Sequence, residues 1–387
     1  MAYDRDLSFI YRNPTKLVFG ENSINEVEQE VVSLKCSKAF VVTDKGVVDA
    51  GLTGRVEKVL GKKHVGTYDK CTQDSGLHLI NEAAEIAKSK GADILVSVGG
   101  GSAIDTAKGM AIVLKEGIKI QDHTGYQSLS RPQTPHIVIP TTAGTGSEVT
   151  YFAVVKDWEQ NRKIEIGEDN IIPNVGILDP TMTVGLPPQL TATTGMDAFC
   201  HALESIHANQ SSPVADAMAI HAIQLIVEYL PRCVENGKDL FARGQQLLAS
   251  TMGGIAFCNG QIALVHAMAH TVGGLFKVPH GLANSILLPH VVRYNMDACG
   301  DRYAVVARAM GLDMKGINDE NAGEAVANAI SALTRKMGVP QKLRDAGVPE
   351  SGLVKASEVT MTMGGVVFNP KPISDANEVL GVYKNAW

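Results

Sequence analysis

Residues 92–102 read ADILVSVGGGS and decide the fold of the N-terminal half of the chain. The first part, residues 92–98, is mostly apolar, which predicts a buried strand. Three consecutive glycines follow, and residues 103–114 then carry apolar side chains at helical spacing. A strand that passes through a glycine turn into a helix is typical of a parallel α/β sheet.

The neighbouring segments repeat this alternation. Further strands are predicted at residues 38–43, 64–68 and 136–140, and helical patterns from Asp44 to about Leu60 and over residues 77–90. Strands that alternate with helices form parallel sheets with right-handed crossovers. Ligands of such sheets bind at the carboxyl ends of the strands.

The chain has 387 residues, which favours two domains. The pattern of apolar residues changes near Leu186-Pro187-Pro188, and from Gln189 onward it is typical of helices. We predict an α/β, Rossmann-like domain with a parallel sheet over residues 1–187 and an all-α domain over residues 188–387.

The composition disfavours several classes of protein. The net charge is -6 and no block of Lys and Arg is present, so a nucleic-acid partner is not expected. No run of about 18 apolar residues predicts a membrane span, and the first residues lack the apolar core of a secretory signal. The six cysteines are dispersed without a C-x-x-C pair, which predicts reduced thiols and a cytoplasmic protein.

The glycine turn has the features of a phosphate site. Gly100 and Gly101 allow a close approach of the backbone, and the helix that follows attracts anions at its N-terminus. Ser102 is positioned to cap this helix, and Asp105 to complete a capping box with Ser102. A tight turn with nothing bound explains the same residues equally well.

Two other strand ends carry polar side chains. Thr141, Thr142 and Thr145 follow the strand at residues 136–140 and place three hydroxyls in one loop. Such threonines also serve as simple turn and cap residues.

Asp44 follows another buried strand. It can accept hydrogen bonds from a ribose diol and repel a 2′-phosphate, which favours NAD over NADP, or it can cap a helix.

The helical half carries a set of metal-binding residue types. Asp197 and His201 are four residues apart, as are His266 and His270, so each pair shares one helix face. His280 follows in VPHG. Carboxylate and imidazole donors suit Zn²⁺ and Fe(II) alike. Each pair alone is commonly a solvated or capping pair, and the combination is what indicates a metal site.

Five segments together resemble the iron-containing (group III) alcohol dehydrogenases, the family that includes lactaldehyde reductase and 1,3-propanediol dehydrogenase. They are VSVGGGSAIDTAK, PTTAGTGSEVT, ATTGMDAFCHALES, VHAMAHTVGG and PHGLANSILLPHV. The resemblance implies a dehydroquinate synthase-like architecture and reversible transfer of hydride between a primary alcohol or small diol and NAD. It also implies a homodimer or a larger homo-oligomer.

The resemblance further implies roles for individual residues. Fe(II) is the implied ion, with Zn²⁺ the alternative, and the implied ligands are Asp197, His201, His266 and His280. His270 then handles protons or substrate beside the ion. The implied cofactor-binding residues are Asp44, Asp74, Gly100, Gly101, Ser102, Thr141, Thr142, Thr145, Thr150, Phe152 and Lys163.

One stretch departs from the family pattern. Many members carry Asn-Pro-Thr after the second strand, where this chain has Asp74-Ser75-Gly76. Asp74 retains a polar group at this position for the contact with the cofactor ribose.

Three other functions are considered. A glycerol dehydrogenase-like polyol dehydrogenase would have fewer histidine ligands. A dehydroquinate synthase-like lyase would carry several Lys and Arg side chains near the metal, where this sequence has Lys277 and little else. A metal or nucleotide sensor without catalysis would be expected to carry an added regulatory segment, and none is visible.

Overall fold

The computed structural model describes residues 7–73, 75–123, 125–159 and 162–387. Clustering of contacts separates two compact units, Asn13–Leu186 and Pro187–Trp387, and residues 7–12 group with the second. Arg12 is held there by Asn259, whose side-chain oxygen accepts from the Arg12 backbone N–H at 2.6 Å. The first unit is α/β and the second is helical, which confirms the predicted fold class.

The α/β unit is built on a six-stranded sheet in the order β1-β8-β5-β4-β2-β3, and all its neighbouring strands are parallel. Its strands are β1 (Lys16–Phe19), β2 (Ala39–Val42), β3 (His64–Tyr68), β4 (Ile94–Gly99), β5 (His136–Pro140) and β8 (Val175–Leu178). A separate antiparallel hairpin pairs β6 (Phe152–Asp157) with β7 (Arg162–Gly167).

Helices cover both faces of this sheet. They are α1 (Val27–Ser33), α2 (Lys45–Asp49), α3 (Leu52–Leu60), α4 (Leu77–Ser89) and α5 (Gly101–Glu116). Strands β2, β4, β5 and β8 are buried along their whole length. Alternate residues of β4 therefore enter different layers: Leu95 packs with α4 and α5, and Val96 packs with α1 and α3.

The strands at residues 64–68 and 136–140 have the predicted limits. The β6–β7 hairpin was not predicted from the sequence. Its strands mix apolar with charged residues, and Ala153, Val155 and Ile166 are buried in the layer that contains α4 and α5. The hairpin is thus a local addition to that layer rather than a strand of the main sheet.

A buried lysine connects α5 to the segment before the hairpin. The Lys108 ammonium donates to Ser147 Oγ at 3.0 Å, to Thr150 O at 2.9 Å and to Phe152 O at 2.7 Å. Asp105, one turn earlier, accepts from Ser147 Oγ at 2.6 Å and from the Val154 N–H at 3.0 Å. Burial raises the pKa of Asp105, and the Lys108 charge partly offsets this. Lys108 and Asp105 together hold residues 147–154 against α5.

The helical unit contains α6 (Pro188–His207), α7 (Pro213–Glu235), α8 (Leu240–Gly260), α9 (Leu264–Phe276), α10 (His280–Asn295), α11 (Gly300–Ala309), α12 (Ala322–Lys336), α13 (Leu353–Thr360) and α14 (Ala376–Ala386). Its core is one apolar cluster to which residues of α6 to α14 contribute. Within the described ranges, α7 is long and apolar enough to cross a membrane. Helices α8 and α9, which are bent by 106° where they meet, are so only when taken together. Ile223 and Ile226 of α7 are buried in this core.

Replacement of Lys108 by Met tests the buried pair. The variant removes the donor to the Ser147 hydroxyl and to the Thr150 and Phe152 carbonyls, together with a charge that offsets the burial of Asp105. Because each buried polar group left unpaired costs about 1–3 kcal/mol, the free energy of unfolding should fall by about 3 kcal/mol. Chemical denaturation followed by circular dichroism measures this loss, and hydrogen exchange of residues 147–154 should rise at the same time.

Lys115→Met is the matched control, because Lys115 lies on the same helix and is exposed. Its effect should stay within about 0.5 kcal/mol. Equal stability of the two variants would show that Lys108 does not hold the loop.

Candidate metal centre and nucleotide site

Three helices supply the predicted metal ligands. Asp197 and His201 lie on α6, and His266 lies on α9. His280 is the first residue of α10. Because helix positions four residues apart share a face, Asp197 and His201 are presented to the same neighbours.

The four side chains meet in space. Asp197 Oδ1 is 3.6 Å from His266 Nε2 and 3.4 Å from His280 Nε2. Asp197, His201 and His266 each offer a ligand atom within 4.8 Å of the others. The rings of His201 and His266 are stacked, with centroids 4.5 Å apart. The structure therefore brings the four predicted ligand residues together.

The charge states of Asp197, His201 and His280 suit a cation. Burial lowers the pKa of His201 to about 3 and that of His280 to about 4, so both imidazoles keep a free lone pair at neutral pH. Burial alone would raise the pKa of Asp197, but the neighbouring imidazoles hold it well below its usual range. The cluster is thus a buried carboxylate surrounded by imidazole nitrogens.

Glu204 is a functional residue that the sequence analysis missed. It lies on α6 and is completely buried, and its Oε2 is 2.5 Å from His266 Nδ1. A carboxylate at Nδ1 fixes the tautomer and directs Nε2 toward the ligand set. Burial opposes the charged form of His266, but Glu204 and Asp197 outweigh this and raise the pKa of His266 to about 9. His266 is therefore protonated at neutral pH, and an ion that binds to Nε2 would displace the proton there. The spacing of Glu204, three residues after His201, was the available signal.

Asn284 is a second residue that the sequence analysis missed. Its side-chain Nδ2 donates to Asp197 Oδ1 at 2.7 Å. The same nitrogen is 3.1 Å from His280 Nε2 and 3.2 Å from His266 Nε2. Asn284 follows His280 by four residues on α10, so the helix repeat could have indicated it.

Close packing of α10 on α6 places His280. A Cβ at Gly281 would overlap the carbonyl of Thr193 on α6. Only glycine allows the backbones to approach this closely, and the adjacent His280 reaches Asp197 as a result.

His270 lies at the open side of the cluster. Its ring centroid is 5.0 Å from that of His280 and 6.2 Å from that of His266. His270 is partly exposed, and the side chain of His280 is 29% exposed, whereas that of His266 is 1% exposed. A small molecule would therefore reach the cluster from the side of His270 and His280.

The donors of the cluster suit a divalent ion. They are one carboxylate and three imidazoles, and these types bind Zn²⁺ and Fe(II). The ligand atoms of Asp197, His201 and His266 lie within 4.8 Å of one another, close enough to share one ion, and His280 Nε2 lies 3.4 Å from Asp197 Oδ1.

The glycine turn differs from the prediction in one detail. Helix α5 begins at Gly101 with Gly100 as its N-cap, and no side chain within the described residues caps it. The predicted capping box of Ser102 and Asp105 is therefore wrong. Ser102 already lies in the first turn, and Asp105 is engaged by Ser147 and Val154.

The glycine turn at residues 99–101 lies against the loop that carries Thr141, Thr142 and Thr145, here called the threonine loop. The Thr141 N–H donates to Gly99 O at 3.0 Å. A Cβ at Gly100 would lie 3.2 Å from Thr142 Oγ1, and one at Gly101 would lie 2.8 Å from Thr145 Cγ2. The uncapped amides of α5 and the threonine hydroxyls thus form one cradle at the carboxyl ends of β4 and β5, which fits a phosphate group.

Asp44 lies beside this cradle. Its Oδ1 accepts from the Val47 N–H at 3.1 Å and caps α2. Its Oδ2 would be 3.5 Å from a Cβ at Gly99. Asp44 therefore caps a helix, which is one of the two roles predicted for it. Its other oxygen lies close to the glycine turn, where a nucleotide would bind.

The remaining predicted cofactor residues are dispersed around the hairpin. Thr150 is buried, and its Oγ1 accepts from Lys108 at 3.0 Å. Phe152 begins β6, and Lys163 lies on β7 opposite Lys156. Asp74 lies outside the residues that the structure describes.

The two residues after Asp74 are held by the hairpin. Ser75 O accepts from the Lys156 N–H at 2.9 Å. A Cβ at Gly76 would lie 2.5 Å from Trp158, so the ring of Trp158 covers this glycine.

Known proteins match along almost the whole chain. Residues 14–180 match the family model described as iron-containing alcohol dehydrogenase. Residues 191–387 match the model of the C-terminal part of the same family.

Individual relatives are similar over their full length. The NAD-dependent methanol dehydrogenase of Bacillus methanolicus is 36% identical over 96% of this chain and 98% of its own. The lactaldehyde reductase of Escherichia coli strain K12 is 35% identical over 95% of this chain and 97% of its own. A crystal structure of 1,3-propanediol oxidoreductase is 36% identical and superposes with a TM-score of 0.96, covering 98% of this chain and 100% of its own. The chain belongs to the iron-containing alcohol dehydrogenase family.

Proposed function

We propose that this oxidoreductase interconverts small primary alcohols or diols and their aldehydes with NAD, at a divalent ion held by Asp197, His201, His266 and His280. The observation that carries the proposal is the meeting of three buried side chains, Asp197, His201 and His266, with the partly exposed His280 in a chain of this family. The chain is an alcohol dehydrogenase by that membership.

The four proposed ligands bind and orient the ion. When bound, a divalent ion acts as a Lewis acid toward an alcohol or carbonyl oxygen. Asp197 would supply one negative charge and neutral imidazoles the remaining donors, so the ion and its four ligands together would carry a net positive charge that favours an alkoxide, and the Glu204 carboxylate behind His266 would offset it. Fe(II) is the ion we propose from the family, and Zn²⁺ fits the same donors.

The cradle in the α/β unit is the proposed NAD site. The nicotinamide supplies the hydride chemistry, and the protein binds and orients it. The N-terminus of α5 at Gly101 and Ser102 would hold the pyrophosphate, and Thr142 and Thr145 would donate from the opposite loop. Asp44 would accept from the ribose diol while its other oxygen caps α2.

His270 is the proposed proton-handling residue. It is partly exposed, and its ring lies next to that of His280, so a proton from the substrate hydroxyl could pass to it and on to solvent. A packing role beside the ligands is the alternative.

The other functions considered are less well supported. The relatives described above carry the names of alcohol and diol dehydrogenases and of an aldehyde reductase. Neither a glycerol dehydrogenase-like nor a dehydroquinate synthase-like activity is favoured by them. We also propose a cytoplasmic location, because the six cysteines are free and five of them are buried. A homo-oligomer stays a prediction.

His280→Ala should remove the metal and the activity together. The variant deletes one of the four proposed donors at the open side of the cluster. Metal analysis of anaerobically purified protein and an assay with NAD and simple alcohols measure both effects.

His290→Ala is the matched control, since His290 lies on the same helix without belonging to the cluster. It should retain metal and turnover. Full metal content in His280→Ala with unchanged turnover would contradict the four-ligand site.

Asp44→Ser should relax the preference for NAD over NADP. Serine retains an oxygen that caps α2 but removes the charge that would repel a 2′-phosphate. Because like charges in contact cost several kcal/mol, the ratio of kcat/KM for NADP to that for NAD should rise by roughly tenfold or more. An unchanged ratio would show that Asp44 only caps the helix.

Glu204→Gln should weaken metal binding without removing it. The amide keeps the shape of the side chain but loses the charge that orients His266. Loss of such an outer partner typically weakens metal binding roughly 10- to 100-fold. Competition with a chromogenic chelator measures the Kd, and an unaltered value would assign Glu204 a purely structural role.

A further inference from the structure

Lys108 contacts two hydroxyl groups that differ in how they are bonded. Its ammonium donates to Ser147 Oγ and to Thr150 Oγ1, each at 3.0 Å, and all three side chains are buried. An ammonium group only donates, so each hydroxyl accepts from it and keeps its own proton for another partner. The Ser147 hydroxyl gives its proton to Asp105 Oδ1 at 2.6 Å, which completes its bonding.

The proton of the Thr150 hydroxyl has no acceptor in the part of the chain that the structure describes. In that part, Thr150 Oγ1 is bonded to the Lys108 ammonium alone. Thr150 is 2% exposed, so bulk water does not readily take this proton. Buried donors in folded proteins are nearly always paired, and this one therefore indicates an acceptor that comes from a ligand.

Lys108 also fixes the direction of the Thr150 side chain. The same ammonium donates to Thr150 O at 2.9 Å, so it holds the backbone and the hydroxyl of this residue together. A further bond to Phe152 O at 2.7 Å holds the start of β6. Because the Thr150 oxygen faces the ammonium, its O–H bond is directed away from Lys108.

The order of the strands indicates which part of NAD lies near Thr150. Strands β2, β4 and β5 are neighbours in that order. The proposed contacts follow the same order, since Asp44 after β2 would meet the adenosine ribose and the glycine turn after β4 the pyrophosphate. The nicotinamide half of NAD would then continue toward the segment after β5. Thr150 belongs to this segment, in which the Ser147 N–H donates to Thr145 Oγ1 at 3.2 Å.

We propose that Lys108 is a positioning residue for NAD: it orients the Thr150 hydroxyl, which donates its proton to an oxygen of the nicotinamide half. The inference rests on the proposed NAD site. Lys108 is completely buried and acts through Thr150. Loss of Lys108 and loss of the Thr150 hydroxyl therefore weaken the same hydrogen bond, and their effects on NAD binding are not additive.

The test measures the Kd for NAD and for ADP by titration calorimetry of the Zn²⁺-loaded protein. ADP contains the adenosine and the pyrophosphate but lacks the nicotinamide half. Thr150→Val keeps the shape of the side chain and removes the proton, so the Kd for NAD should rise roughly threefold to tenfold while the Kd for ADP stays unchanged. Thr150→Ser keeps the hydroxyl and should bind both ligands as the wild type does.

Lys108→Met should raise the Kd for NAD by a similar factor. Addition of Thr150→Val to this variant should then change the Kd by less than about twofold, because the oriented hydrogen bond is already lost. If the methionine variant does not fold, Lys108→Gln, whose amide carries two protons instead of three, takes its place in the comparison.

Thr15→Val is the matched control. Thr15 is buried in the same unit, and its hydroxyl donates to Pro173 O at 2.8 Å. It lies before β1, at the amino end of that strand, whereas the cradle lies at the carboxyl ends of β4 and β5. The control should leave the Kd values for NAD and ADP unchanged.

The outcomes separate the inference from the proposed NAD site. An unchanged Kd for NAD in Thr150→Val would overturn the role of this hydroxyl. Equal increases for NAD and ADP, or effects of the two changes that multiply in the double variant, would show that Lys108 only holds the loop. A wild type that binds neither NAD nor ADP would overturn the NAD site itself, and the inference with it.

Discussion

The carboxylate of Glu204 is the interaction on which the metal cluster depends. It accepts from the Ala263 N–H at 3.0 Å, from the Val265 N–H at 2.6 Å and from His266 Nδ1. The two backbone donors lie at the start of α9, where a helix has amides without partners and attracts negative charge. One buried side chain of α6 thus sets where α9 begins and which nitrogen of His266 faces Asp197.

The candidate sites of the two units are built from different parts of the chain, one from side chains and the other mostly from backbone. In the helical unit, charged and imidazole side chains meet where Gly281 lets α10 approach α6, and the buried neighbours Glu204 and Asn284 orient His266 and Asp197. In the α/β unit, the site is mostly backbone. The amides at the start of α5 are left uncapped, and the Lys108–Asp105 pair holds the segment after the threonine loop against the same helix.

Much of this organisation could be predicted from the sequence, because it follows from local patterns. The apolar run before the glycines predicted β4, and spacings of four residues placed the histidine and aspartate ligands on helix faces. Glu204, Asn284 and Lys108 were missed because their roles depend on partners 39 to 87 residues away in the chain. The capping box failed for a related reason: Asp105 is used by a distant segment rather than by its own helix.

The atoms bound to the ion define the proposed four-ligand site most directly. X-ray absorption spectroscopy of the protein loaded with Fe(II) or Zn²⁺ measures them without reference to activity. We expect a first shell of nitrogen and oxygen at about 2.0–2.2 Å, with outer scattering from three imidazole rings. A sulfur scatterer at about 2.3 Å, or scattering from one imidazole or none, would contradict a site formed by Asp197, His201, His266 and His280.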